Sequence, residues 1–417
     1  MPFYIICILI IFTPLARGSV HPWATTIIQI GILLAGIFLI IENFSAEKTS
    51  LPKTPMTRPL AAIIILCTVS FISSAHKPFA FEGLFMLLTY ITAYFITLAS
   101  VRTRKQQRIL VYVIISTAVL ISIIAILKRF GLTPVAFWIY PDVGGISHTS
   151  NSAAGVYVNR NHMAGFLEMA IPLLMILFIT RQRPLETKLG LIFLVIFLLT
   201  TQAFTLSRGG WISTINAILF LSAVLLARKN YAHTKAILTI GTGIIIISLF
   251  ILASLPVVER ITTLTQQDPT DNISGRMRCW KGVINQIKDN PLTGTGPDTF
   301  TTAYSVWQIP GHAVLRRYAH NDYLHFIAET GILFIPVLIY TLFCFFRSGF
   351  QKIKSRSRQT RGFALGAMAA VFAILIHSFS DFNLNIPANA FVFTVIAGII
   401  GRDRGALSPH NPHVPQK

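Results

Sequence analysis

The chain is poor in acid and poor in charge altogether. Its 417 residues hold 15 Asp and Glu against 35 Lys and Arg, a formal charge of +20, and charged residues make up only 12% of it, against roughly 25% in an average soluble domain. That shortage excludes an ordinary soluble fold. In a soluble chain the basic excess would suggest nucleic acid, but here apolar runs separate the charges, and membrane topology accounts for them better. Cysteine is scarce as well. Cys7, Cys67, Cys279 and Cys344 lie far apart, three of them inside apolar runs, so neither a disulfide framework nor a zinc spacing is present and they read as packing residues. The Asp-x-Asp motif of metal-nucleotide sites does not occur.

What the chain has in abundance is apolar length, 53% of its residues. A membrane-crossing helix needs about 20 mostly apolar residues, roughly 17 to 25. Candidate runs fall at 3–16, 24–41, 59–75, 79–101, 109–127, 163–180, 189–205, 211–227, 236–255, 323–346, 362–379 and 387–400, twelve in all. The first is short enough to pass for a signal-peptide core. No basic residue precedes it and no clear small-x-small cleavage site follows before Arg17, so it counts as a retained span. The expected fold class is all-α, a polytopic integral membrane helical bundle of about 12 transmembrane helices. It divides into helices 1–9 (1–255), a long loop (256–322), helices 10–12 (323–401) and a tail (402–417). The tail carries His410 and His413 and is assigned no role.

Twelve spans put both termini on one side. With that side inside, the inner segments carry 22 Lys and Arg and the short outer turns carry 3. Basic residues are retained in the cytoplasm, so the asymmetry orients the chain. The other ten lie in two long outer segments, 128–162 and 256–322, to which the rule does not apply.

The polar motifs then gather on the outer side: NRNH (Asn159 to His162), SRGGW (Ser207 to Trp211), Gly275 to Phe300, and HNDYL (His320 to Leu324). Glu82, Glu168 and Glu329 sit near outer helix ends, and Asp381 just beyond the eleventh. Ionisable groups at mid-membrane cost about 2.5 to 3.5 kcal/mol and usually face the bundle interior or a wet cavity. A polar cavity opening outward is the resulting expectation.

The 67-residue segment 256–322 is too long for a connector. Ser274 can cap a short amphipathic helix reaching about Lys288, with Met277, Trp280, Ile284 and Ile287 on one face and Arg278, Lys281 and Lys288 elsewhere. Such a helix lies on the outer membrane face or on the bundle. The following PLTGTGPDTF (Pro291 to Phe300) specifies turns that either bring N–H groups to an anion or serve as plain surface turns. Beyond it, a helix aligns Asn321, His325 and Glu329 on one stripe. The stripe belongs to a site or is a hydrogen-bond ladder between spans. His320, in the loop, has no such packing explanation.

Several arginines and one histidine on an outer face suit a particular chemistry. Arg208 lies in a short outer turn where its guanidinium can reach a phosphate in bidentate fashion, and Arg160 and Arg276 can converge on the same anion. For each arginine singly, interfacial snorkelling is the competing account. A histidine near its ordinary pKa is mostly neutral outside and can take a proton from a sugar hydroxyl. Arginines stabilising a diphosphate leaving group make a metal unnecessary.

With these motifs in place, the sequence resembles the O-antigen ligase and O-antigen polymerase superfamily of bacterial envelope glycosyltransferases. The resemblance rests on NRNHMAGFLEM (Asn159 to Met169), SRGGW, the Arg276 and Trp280 helix followed by Gly294 and Gly296, and HNDYLHFIAETG (His320 to Gly331), in this order and topology. It implies a multi-pass protein of the bacterial inner membrane, in lipopolysaccharide biosynthesis, with its active site and large loop on the periplasmic face. The implied donor is an undecaprenyl-diphosphate-linked glycan and the implied acceptor a hydroxyl of lipid A core, or of another lipid-linked glycan in a polymerase, or of Ser or Thr in a protein glycosyltransferase. No cofactor and no nucleic acid is implied, and membrane lipid surrounds the bundle. His320 would be the base. Arg208 and Arg276 would bind the diphosphate with Arg160 as a third cation, Asn321 would orient His320 or the acceptor, and Glu329 would tune a histidine; His325 and Trp280 complete the expected substrate-binding set. A lipid or solute transporter is the reading from a different class. It would require polar residues at mid-depth, broken helices and related halves, which the sequence does not display.

Overall fold

The structure, a computed structural model, describes residues 1–45, 52–132, 153–179, 184–227, 273–309 and 316–401. The predicted ninth span, most of 128–162, the first part of the long loop and the tail lie outside these. The described chain is helical: α1 (Pro2–Leu15), α2 (Pro22–Ser45), α3 (Thr57–Ser73), α4 (Lys77–Ser100), α5 (Arg104–Arg129), α6 (Arg160–Ile179), α7 (Leu185–Phe204) and α8 (Arg208–Leu226). There follow α9 (Ile273–Asp289), α10 (Phe300–Ala303), α11 (Asp322–Thr330), α12 (Phe334–Ile353), α13 (Arg358–His377) and α14 (Pro387–Gly401). Among the described residues, eight of these helices are long and apolar enough to cross a membrane, and α1, α3 and α14 are shorter apolar helices.

Two helices form the centre. α6 and α13 are buried along nearly their whole length and pack on each other, with α8 on the same side of α13 and α14 between α13 and α4. Small residues permit the close approach: Gly362, Ala364, Gly366, Ala367, Ala369 and Ala370 line α13, and Gly366 lies against Leu173 and Ile176 of α6. In lipid the gain comes from such van der Waals contact, because apolar side chains are as well solvated by acyl chains as by one another. α2 shows the converse. Its Ile30, Leu33, Leu34, Ile37, Ile40 and Ile41 are exposed, an outward apolar face of the kind that lipid covers.

The two ends of the bundle differ in chemistry. At one end Glu42 pairs with the N-terminus at 2.8 Å and with Arg102 at 3.6 Å, and Gln359 bonds both Arg108 and the Arg104 carbonyl. Basic residues dominate there, as the charge count predicts. At the other end the turn after α1 lies against Tyr157 and Ile386, the turn after α3 against Gly296, and the start of α8 against the turn after α13, which α11 also meets, so the predicted motifs gather at one end.

The predicted tenth span is not one helix. The chain breaks at Gly331, whose φ of +85 belongs to the left-handed region, so the nine-residue α11 is separate from the membrane helix α12. The cause is an alternative use of the α11 carbonyls. Thr295 and Gly296 N–H groups donate to Ala328 and Glu329 carbonyls at 3.1 and 2.9 Å, and the Ser70 hydroxyl also donates to Glu329. Those acceptors are no longer open to a fourth-residue partner. Pro336 in the first turn of α12 likewise forbids continuation, since it has no N–H for the carbonyl of Ile332. The PLTGTGPDTF turn is therefore a cap for α11. Gly294 sits so close to Glu329 that a Cβ would fall 2.2 Å from its carbonyl carbon.

α9 forms where predicted, but its span of Ile273–Asp289 puts Ser274 inside it and another face inward. Cys279, Val283 and Gln286 are buried with Gly282, which lies under Tyr304 and Trp307, while Met277 and Ile284 are exposed. The inner face must be small because Phe300 and Tyr304 already fill the space against it.

Candidate functional site

The site is assembled on the turn between α13 and α14. Asp322, first residue of α11, fastens the turn: its carboxylate accepts bonds from the Ser378 hydroxyl at 2.7 Å, Leu384 N–H at 3.1 Å and the Asn385 amide at 2.7 Å. Its own N–H donates to the Ser378 and Asp381 carbonyls. Burial pushes the Asp322 carboxyl up to about 6, against the opposing pull of those hydrogen bonds and of His325. Asn321 caps α11, accepting Leu324 N–H at 3.0 Å, and its amide donates to the Phe379 carbonyl at 3.1 Å.

His320 therefore enters at a defined point. Its Nδ1 lies 3.6 Å from Asp381 Oδ1, and its ring meets the Phe382 ring edge-on at 4.9 Å. Its φ of +51 is left-handed, a conformation that costs a non-glycine residue on the order of 1 kcal/mol or more and persists only where neighbours over-determine it. They do here. On one side Trp280 Nε1–H bonds the Ala319 carbonyl at 2.9 Å, and on the other Asn321 and Asp322 are tied to the turn.

Asp381 is the hub. It is buried, and its second oxygen accepts the Asn161 amide, while Phe382 N–H donates to the first at 2.9 Å. His162 Nε2 lies 4.0 Å from that same first oxygen. Burial alone would raise the Asp381 carboxyl. The close approach of His320 and the charges of His162 and Arg276 outweigh it and hold the group well below the usual carboxylate range. An ionised Asp381 thus faces His320 Nδ1 at 3.6 Å, beyond hydrogen-bond length, and favours the tautomer with its proton on that nitrogen.

Arg276 bonds the same turn, and Arg208, an exposed residue, begins a helix beside it. Arg276, half-buried on α9, donates from Nη1 to the Ser380 carbonyl. Arg208 is the first residue of α8, capped by Ser207 Oγ accepting Gly210 N–H at 3.2 Å, and the next residue, Gly209, lies against His377 and Ser380. Arg160 begins α6, directly before Asn161 and His162. Two expected residues stand apart from this group. His325 Nε2 lies 3.3 Å from Glu329 Oε1, and that oxygen also accepts Phe300 N–H at 3.1 Å, so the pair ties α11 to α10 and the histidine near Glu329 is His325. Trp280 acts on the backbone before His320 and not on the turn.

This end of the bundle places His320 and Arg276 beside the buried Asp381 and its turn. Residues 193–339 match the family model described as O-antigen ligase. The match supports the O-antigen ligase/polymerase superfamily and indicates a ligase or polymerase-type glycosyltransferase in a multi-pass membrane protein. No curated protein matches the chain. The matched segment contains Arg208, Arg276, Trp280, His320, Asn321, His325 and Glu329. It excludes α6 and the α13–α14 turn, which supply Asn161, His162 and Asp381.

Sequence reasoning noticed Asp381 only by position and passed over His377 and Phe382. One signal was available. HSFSDFN (His377 to Asn383) places five polar residues in seven at the end of an apolar span, which is excessive for a plain turn.

Proposed function

We propose that the protein is a periplasmic-face glycosyltransferase that moves a glycan from undecaprenyl diphosphate to a hydroxyl of lipid A core, as an O-antigen ligase of the bacterial inner membrane. One observation supports this above others: His320, beside Asp381, shares a single turn with Arg276, and the residue after Arg208 lies against that turn. In this reading His320 Nε2 takes the proton of the acceptor hydroxyl as its oxygen attacks the anomeric carbon. Asp381 holds the ring and balances the imidazolium, and Asn161 holds Asp381. The arginines meet the charge that develops on the diphosphate as its bond to the sugar breaks. Asn321 acts by placing His320, and Arg160 is a third cation at the rim. A direct displacement inverts the anomeric carbon.

The test is reconstitution. Purified full-length protein is incubated with undecaprenyl-diphosphate-linked glycan, with and without lipid A core. Product that requires the core is the expected result. Lengthening of the lipid-linked chain instead makes the protein a polymerase with the same chemistry, and translocation without a new bond refutes the assignment.

A further inference from the structure

A second imidazole–carboxylate pair lies close to the first and takes no part in the chemistry above. His377, the last residue of α13, places Nδ1 2.9 Å from Glu168 Oε2 of α6, and both side chains are almost fully buried, at 1% and 0% exposure. Here Nδ1 is occupied, and no described group bonds Nε2.

The position of Nε2 is informative. At Gly209, in the first turn of α8, an added Cβ would come within 2.6 Å of His377 Nε2 and 2.7 Å of Ser380 Oγ. A Cα–Cβ bond tilts toward the helix N-terminus, so the ring lies at that end of α8. The described bonds there engage the N–H groups of Gly210 and Trp211, with Ser207 Oγ and the Ser207 carbonyl. Those of Arg208 and Gly209 have no described acceptor. A 19-residue helix carries partial positive charge at this end. Ser380, whose Oγ lies by the same point, is the residue whose carbonyl accepts Arg276. The ring edge, the first turn of α8 and the Ser380 that accepts Arg276 thus lie together.

We propose that His377 is a donor-site residue whose Nε2–H bonds the diphosphate of the lipid-linked donor, with Glu168 as the carboxylate that holds the ring and balances its charge. The assignment rests on the glycosyltransferase reading and adds a ligand to its donor site. With a diphosphate present the imidazole carries both protons, Nδ1–H toward Glu168 and Nε2–H toward a phosphate oxygen. As the acceptor oxygen bonds to the anomeric carbon, the bond from that carbon to the diphosphate breaks and its electron pair passes to the diphosphate. His320 takes the acceptor proton. His377 keeps its own and meets the new charge with a hydrogen bond. Glycine at 209 is what lets the ring come this close to the helix.

The experiment measures binding to the full-length protein in nanodiscs with two probes, undecaprenyl diphosphate and inorganic diphosphate, and compares wild type with His377→Gln. Glutamine keeps an N–H near Nε2 but not the charge. Affinity for both probes is expected to fall about tenfold, the order separating a charge-assisted bond from a neutral one, with the KM for acceptor unchanged. Folded His377→Gln with affinities within twofold of wild type overturns the proposal. So does a loss confined to the lipid probe, because it places the ring against the lipid and not the diphosphate. Should His377→Gln not fold, Glu168→Gln keeps the ring and removes its counter-charge, and unchanged affinity for inorganic diphosphate there refutes the proposal equally. Failure of the glycosyltransferase reading looks different: wild-type protein then forms no glycan bond whatever the His377 variants bind.

Discussion

Replacing Asp381 by asparagine tests the central geometry with the least change of shape. The carboxylate has one oxygen committed to Phe382 N–H at 2.9 Å and facing His320 at 3.6 Å, and the other committed to the Asn161 amide. In Asp381→Asn the side-chain oxygen can keep the Phe382 bond, while its new amide meets the Asn161 amide. Rotation of Asn161 by half a turn about its last bond relieves that conflict. The packing therefore survives, at a cost of about 1 to 3 kcal/mol for an imperfectly paired buried group. The charge does not survive. Without it nothing fixes the proton on His320 Nδ1, and the imidazolium formed during transfer loses its counter-ion. General-base assistance is worth roughly 10²- to 10⁴-fold, so kcat in the reconstituted transfer assay is expected to fall within that range. Affinity for undecaprenyl diphosphate should stay within about threefold of wild type, because the phosphate contacts are assigned to other residues. Asparagine has no charge to regain, so raising the pH will not restore the counter-ion in the variant. A folded Asp381→Asn protein with near-normal kcat would refute the pairing, and a loss seen only in donor affinity would move Asp381 to the other substrate.

Trp280→Phe keeps most of the ring but loses the bond from Nε1 to the Ala319 carbonyl; a several-fold drop in kcat at unchanged donor affinity is expected, and unchanged kcat would show that His320 holds its backbone without that help. His320→Ala should abolish transfer while the donor still binds, and transfer at the normal rate would end its assignment as base. In Gly331→Ala the added Cβ falls 2.1 Å from the Leu292 carbonyl oxygen at a φ of +85, so the melting temperature in detergent should drop sharply, by upwards of about 2 kcal/mol in stability; a neutral effect would show that the break between α11 and α12 is not fixed as described. Asp322 keeps its proton up to about pH 6 when folded and to 3.8 in the unfolded reference. The folded state thus binds more protons between these values, and stability rises as pH falls through that window, by on the order of 3 kcal/mol at roughly 1.4 per pKa unit. Asp322→Asn cannot titrate, so melting from pH 6.5 to 4 should show wild type gaining on the variant, and a constant difference would contradict the pKa.

What the sequence determined by itself is the membrane character, most of the helical spans and the gathering of the motifs at one end. Each depends on composition over a window of about 20 residues, or on charge counted loop by loop, and neither quantity needs knowledge of which helices touch. Individual candidates such as His320, Arg208 and Arg276 were singled out for a related reason: a charged or titratable group placed where no local packing explains it stands out. Tertiary structure alone decided the rest. Asp381 and His320 are 61 residues apart in the chain, and Asn161 is 220 residues from its partner Asp381. No local pattern encodes such pairings. The break at Gly331 followed from the same limit. Hydropathy saw one apolar run from 323 to 346, whereas the backbone had lent the α11 carbonyls to a turn 33 residues upstream, at Thr295 and Gly296. His325 and Glu329 then turned from members of the site into the fastening of α11, and Glu168 and His377, each unremarkable inside its own apolar helix, came to lie 2.9 Å apart. A buried ionisable group must find a partner, and only the packing of α6 against α13 determines which one is within reach.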